Sequence, residues 1–202
     1  MSINLQKGQK IDLTKGGTGL KQIMVGLGWD EAQQSSSGGG FLGLFKSKPQ
    51  DIDCDASAIL CNTNGKYMDL VYYRNLKLSD GSNVHKGDNL TGAGEGDDEQ
   101  IKIALNLVPE NIVRIAFTVT IYDAETRRQN FGQVNNAFIR IYNEATGEEM
   151  LRYDLGEDFS IETAAVFGEL YKNNGEWKFN AIGSGFQGGL AALCSNYGIE
   201  TE

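Results

Sequence analysis

From Ile112 to Tyr122 apolar and polar side chains alternate. Val113, Ile115, Phe117, Val119 and Ile121 share one face, and Arg114, Thr118 and Thr120 the other. A period of two marks a strand with one buried face, the pattern of antiparallel sheets. About ten segments of this kind are separated by short turns. Residues 3–5 and 11–13 read as a hairpin-like pair around Gly8, and Gln22–Trp29 as a third strand ending at Asp30. Cys54–Cys61 and Lys66–Tyr73 follow, and apolar residues alternate again at Ile101, Ile103, Leu105 and Leu107. Phe138–Tyr142 and Met150–Tyr153 are joined across Glu144–Gly147, and Ala165–Tyr171 and Trp177–Ile182 across Asn173-Asn174-Gly175. Asn-Gly is a strong hairpin signal.

Helical patterning is scarce. Ala124–Asn136 is polar, with Phe131 and Val134 as anchors, and reads as one short helix. Gly183–Gly189 reads as a turn leading into a last helix over residues 189–197. There Leu190, Leu193, Cys194 and Tyr197 stand at helical spacing and Gly198 is the stop. No helix is long enough for βαβ crossovers, so the expected fold is all-β: a β-sandwich of two antiparallel sheets with short helices. The length of 202 residues suits a single domain. A Gly/Ser-rich insertion at about residues 34–50 interrupts it, carrying an apolar knot of Phe41, Leu42, Leu44 and Phe45. That segment is either a loop folded back on the body or a contact tip for a partner or membrane surface.

A net charge of -9 argues against a nucleic-acid partner, which requires clustered Lys and Arg. The start of the chain lacks signal-peptide features, and no apolar run approaches the roughly 20 residues of a membrane span, so a cytosolic protein is expected. Cys54, Cys61 and Cys194 have no zinc spacing, and on one unbroken strand Cys54 and Cys61 face opposite sides. His85 is the only histidine, which disfavours zinc sites and histidine-based catalysis.

The acidic excess is local. Gly87–Glu99 holds five carboxylates and no basic residue. Such a block is either solvated or neutralised by a cation, and calcium, which takes six to eight oxygen ligands, is the natural one. Asp88 and Glu99 have the spacing of EF-hand positions 1 and 12, but Leu90, Gly92 and Ala93 occupy positions that need oxygen ligands or glycine. A calcium site would therefore be assembled from several loops. Asp30 at its strand end and the pair Asp53 and Asp55 on one side of an extended segment qualify, although each also reads as a turn former or a charged strand edge. Strand parity puts Glu99 on the face of Ile101 and Ile103, an odd place for a carboxylate unless an ion meets it. No nucleophile elbow or phosphate loop is present, and no catalytic activity is expected.

Several longer motifs carry a resemblance. They are Val25-Gly-Leu-Gly-Trp-Asp30, Asp51-Ile-Asp-Cys-Asp-Ala-Ser57, Gly87–Glu99, Asn130–Arg140 and Gly175–Gly183, with Leu5–Lys10 and Gly185–Leu190 at the two ends. Together they resemble the TerD family of bacterial tellurium-resistance proteins over essentially the whole chain, apart from residues 34–50. The resemblance implies a calcium-binding β-sandwich without established catalysis, in operons linked to tellurite and other stresses. It implies ion ligands at Asp30, Asp53, Asp55, Asp88, Asn89, Asp97, Asp98 and Glu99, with carbonyls from Gly92–Gly94, and more than one calcium ion. It also implies other proteins of the operon as partners, some of them at the inner membrane. The competing expectations are a cysteine-dependent tellurite reductant or trap and a calcium-organised hydrolase.

Overall fold

The computed structural model describes residues 2–16, 19–31, 52–87, 89, 96–156 and 159–199. Among them are β1 (Ile3–Leu5), β2 (Lys10–Asp12), β3 (Gln22–Glu31), β4 (Cys54–Asn62), β5 (Tyr67–Val71) and β6 (Asn83–His85). After these come β7 (Glu99–Ala104), β8 (Ile112–Ile121), β9 (Val134–Asn143), β10 (Glu149–Asp154), β11 (Ala164–Asn173) and β12 (Glu176–Phe186). The helices are α1 (Ala124–Arg127) and α2 (Gly189–Asn196). Two six-stranded sheets result, ordered β1-β10-β9-β3-β7-β6 and β2-β12-β11-β8-β4-β5. All neighbours are antiparallel except β1 and β10. The expected sandwich is what the chain forms. The insertion at 34–50, with its apolar knot, lies outside the described residues.

The alternation in β8 holds from Ile115 on, but a register shift at its start puts Ile112 rather than Val113 in the core; the strand is central, flanked by β4 and β11. Ile115, Phe117, Val119 and Ile121 enter the core between the sheets. The opposite face is not simply exposed. Ala116 joins Ile59, Cys61, Ala164 and Val166 in a second, smaller core against Leu193 of α2. Cys54 and Cys61 do face opposite sides, one in each core. The turn between β11 and β12 places Asn174 and Gly175 at φ 54 and 80, the left-handed pair that a two-residue hairpin needs.

Four expectations need correction. Residues 3–5 and 11–13 do not form a hairpin: β1 runs parallel to β10 in one sheet, and β2 pairs with β12 in the other. Strands this short make a marginal hairpin alone, whereas each finds a ready sheet edge here. Ala124–Asn136 is not one helix. Arg128 closes α1 in the left-handed region, Asn130 and Gln133 cap each other around a separate 3-10 turn, and β9 begins at Val134. The run from Ile101 ends as a strand at Ala104, so Leu105 and Leu107 belong to the turn beyond. The segment before α2 is mostly strand, since Ser184, Gly185 and Phe186 continue β12 opposite Val166, Ala165 and Ala164.

Candidate metal centre

β7 and β6 lie at one edge of the first sheet, and β4 and β5 at the matching edge of the second. The carboxylates converge there. Glu99 is the first residue of β7, and parity points its side chain between the sheets, where it is 2% exposed. β5 pairs with β4 only from Ala58 onward, so Ala56 is left beyond the end of that ladder. Glu99 Oε2 accepts from the Ala56 N–H at 2.8 Å and from His85 Nε2 at 3.1 Å, and its Oε1 accepts from the Asn89 N–H at 3.2 Å. The Gly87 N–H donates to His85 Nδ1 at 3.2 Å, which assigns the ring proton to Nε2. A buried carboxylate persists only with such partners. Glu99 thus closes the sandwich edge by itself.

Asp98 stands one residue earlier. The Trp29 N–H donates to its Oδ2 at 2.7 Å and the Asn89 side-chain amide to its Oδ1 at 3.1 Å. Burial pushes the Asp98 carboxyl above its ordinary range, the Trp29 N–H opposes this, and the charges of Asp30, Asp97 and Glu99 push it further. Asp30, on the exposed end of β3, accepts from the Asn136 amide at 2.7 Å. That amide is aimed by a bulge: Gly28 pairs with Phe138 but Asp30 with Asn135, and Asn136 sits at φ 51. Asp98 and Asp30 therefore receive only neutral donors among the described residues.

Asp97 points to the other side of the strand. It packs on Gly26, accepts from Arg140 Nε at 2.6 Å and from the Gln100 amide at 2.9 Å, and its side chain is 1% exposed. Hydrogen bonding to Asp97 holds Arg140 firmly charged. The glycines of β3 are part of this arrangement. A Cβ on Gly26 would stand 2.2 Å from the Asp97 carboxylate, and one on Gly28 would stand 2.3 Å from the Phe138 ring.

Asp53 and Asp55 project from the face of β4 opposite Cys54, with Asp53 3.8 Å from Arg127. The structure thus gathers Asn89, Asp98 and Glu99 by direct hydrogen bonds, sets Asp30 within electrostatic reach, and directs Asp97, Asp53 and Asp55 elsewhere. Asp88, Gly92 and Gly94 lie outside the described residues. No three His, Cys, Asp or Glu groups among the described residues stand close enough to hold an ion by themselves.

The donor chemistry nevertheless fits a hard divalent cation. The Asp98 carboxylate is crowded by the like charges of Asp30, Asp97 and Glu99, while the neighbouring cationic group, Arg140, is committed to Asp97 and Glu149. Two participants escaped sequence reasoning: His85 as the Glu99 partner and Arg140 as the Asp97 partner. The available signal was the position of the only histidine, two residues before the acidic stretch.

The thiols are poorly placed for chemistry. All three cysteines are free and buried. Burial raises each thiol's pKa, and Cys54 is raised further by Asp55, Asp53, Glu99 and Asp98 around it. The thiolate is the reactive form, so native protein at about pH 8 should react with a thiol reagent at least tenfold more slowly than denatured protein, which should titrate fully at once. Rapid native labelling would contradict this burial.

Comparison with known proteins adds the following. The TerD domain family model matches residues 1–197. The chain is 55% identical to general stress protein 16U of Bacillus subtilis (strain 168), over 99% of each chain. It is 51% identical to the tellurium resistance protein TerD of Serratia marcescens, over the full length of both. A crystal structure of a homologue of telluride resistance protein (TerD) from Streptomyces coelicolor A3(2) superposes with a TM-score of 0.66 at 20% identity, covering 87% of this chain and 95% of that one. At that identity the likeness concerns the fold.

Proposed function

This chain belongs to the TerD family, whose members include tellurium-resistance and stress-response proteins, and from that premise we propose that it acts as a calcium-binding, non-catalytic scaffold or sensor. The observation that carries the reading is the charge imbalance at Asp98. Four carboxylates, at 30, 97, 98 and 99, crowd one sandwich edge, and the available guanidinium is spent on Asp97. A bound calcium ion would supply the missing positive charge. Asp98, Asp30 and Asn89 are its ligands from the described residues, with Asp88 and the carbonyls of Gly92 and Gly94 completing the shell. Glu99 and Asp97 anchor the C-terminal end of the acidic segment, one between the sheets and one on the outer face, and Asp53 and Asp55 form a separate acidic pair. Ordering of residues 88–99 by the ion would present a surface to partner proteins of the same stress response. No helix among the described residues is long and apolar enough to cross a membrane.

The test is thermal unfolding with calcium and with chelator. A ligand at about 100 times its Kd stabilises the folded state by about 2.7 kcal/mol, or roughly 5–11 °C in a chain of this size. Asp98→Asn should abolish most of that gain. A Tm that ignores calcium would refute the reading.

The pH dependence is also fixed in sign. The Asp98 carboxyl binds its proton more tightly in the folded protein than in the unfolded chain, whose value is about 3.9, so without calcium this group favours the fold at low pH. That contribution is lost as pH rises through its raised folded value. Calcium requires the ionised form, so the calcium-induced Tm gain should grow as pH rises from the ordinary carboxylate range to neutrality. A gain larger at the acid end would contradict the assignment.

A further inference from the structure

The outer face of the second sheet is apolar along one stretch, and a single short segment covers it. Ile59, Cys61, Ala116, Ala164 and Val166 form a small core there, closed from outside by Leu193 of α2, with Tyr197 and Ile199 packed against it. Burial pushes the Tyr197 hydroxyl above its ordinary range, the charges of Glu169 and Cys61 adding to the rise and Arg114 opposing it, which puts this ring beside Cys61.

Residues 188–199 are held on that face by apolar contact alone. Their sequence, Gly-Gly-Leu-Ala-Ala-Leu-Cys-Ser-Asn-Tyr-Gly-Ile, contains no charged side chain, so no side-chain ion pair can tie them down. Among the described residues their hydrogen bonds stay within the segment, with the N–H groups of Ala192, Tyr197 and Ile199 donating to the carbonyls of Gly188, Leu193 and Cys194. Of the eight residues in α2 only Leu193 and Cys194 are buried. Gly188, Gly189 and Leu190 border a cavity of about 520 Å³, so the start of the helix has empty space beside it where packing contacts would otherwise form. A helix this short is marginal without packing. Its root is a glycine pair, Gly188 and Gly189 at φ 91 and 57, and no side chain caps its first turn. The strands beneath are built differently, since β8 and β11 are each laced to a neighbour on both sides.

We propose that residues 188–199 are a releasable cover: they lift from the second sheet as one unit while both sheets stay folded, baring the small core and opening the Cys61 thiol to solvent. A segment with few buried contacts and no hydrogen bonds to the body opens at lower free energy than the body itself. The glycine pair is the hinge. Native protein thus moves between two states that differ in one apolar strip and one thiol. The cover lies on the outer face of the second sheet, whereas Glu99 lies between the sheets, and it does not depend on the calcium reading.

Cys61 and Cys54 provide the comparison. Both are 0% exposed on the same strand, one under the cover and the other between the sheets. Native protein in chelator at about pH 8 is treated with N-ethylmaleimide, and modification of each cysteine is followed by peptide mass spectrometry at rising urea below the unfolding transition. Cys61 should react at least about tenfold faster than Cys54, though more slowly than in denatured protein. Its rate should also rise less than about half as steeply with urea, because lifting the cover exposes little surface. Ile139→Val, in the core between the sheets, should speed Cys54 about two- to tenfold and leave Cys61 unchanged, since it weakens the closed and lifted states alike. Leu193→Ala should speed Cys61 at least about tenfold. Equal rates and urea slopes at the two cysteines, equal acceleration of both by Ile139→Val, or no response of Cys61 to Leu193→Ala would each overturn the proposal. The first comparison needs no variant.

Discussion

Replacing Gly26 with alanine is expected to destabilise the protein by about 2–4 kcal/mol, a Tm loss of roughly 4–16 °C for a chain of this length. Gly26 lies on the outer face of β3, and the space a methyl group would take is filled by the Asp97 carboxylate, with its carbon and one oxygen 2.2 Å from the built Cβ. The methyl cannot turn aside, so the carboxylate must leave. Leaving costs the hydrogen bonds from Arg140 and Gln100 and strands a side chain that is 1% exposed. Arg140 retains only Glu149, at 3.1 Å. In an Asp97→Ala background the same glycine substitution should cost under about 1 kcal/mol, because the clash is gone. Equal costs in both backgrounds, by denaturant unfolding, would mean that packing of Asp97 on Gly26 is not the reason for the glycine.

Glu99→Gln should cost about 2–4 kcal/mol, nearly isosteric though it is. The carboxylate accepts from the Ala56 N–H, His85 Nε2 and the Asn89 N–H, and no donor is needed at either oxygen. An amide turns one of those acceptors into a donor facing another donor, and it does so in a site that water does not reach. The loss should be present in chelator. That separates an anchor between the two sheets from an ion ligand: a cost seen only with calcium would assign Glu99 to the ion instead.

What the sequence disclosed divides by range. β8 and the Asn174-Gly175 turn were readable because alternation and left-handed residues are local properties. Parity alone placed Glu99 among Ile101 and Ile103, an apparent conflict that predicted something unusual at that edge. What met it was His85, signalled only by its place just before the acidic stretch, and a backbone N–H of Ala56 from the opposite sheet, which has no sequence signature. Asp97 and Asp98 are adjacent and chemically alike, yet strand alternation sends one to Arg140 and the other toward Trp29 and Asn89. The β1–β2 reading failed because three-residue strands carry too little information to name a partner, and the winning partners are strands formed much later in the chain.

That last feature bears on how the chain is made. Residues 3–12 leave the ribosome long before β10 and β12, to which they pair. Until then the early segment has nothing to dock on, and the outer edges of β10 and β12, once made, remain bare until it returns. Such sequence-distant pairings raise contact order and slow folding, and bare edges are where nascent chains stick to one another. A single short arm thus seals an edge of each sheet, and it can do so only after the late strands it pairs with have been made.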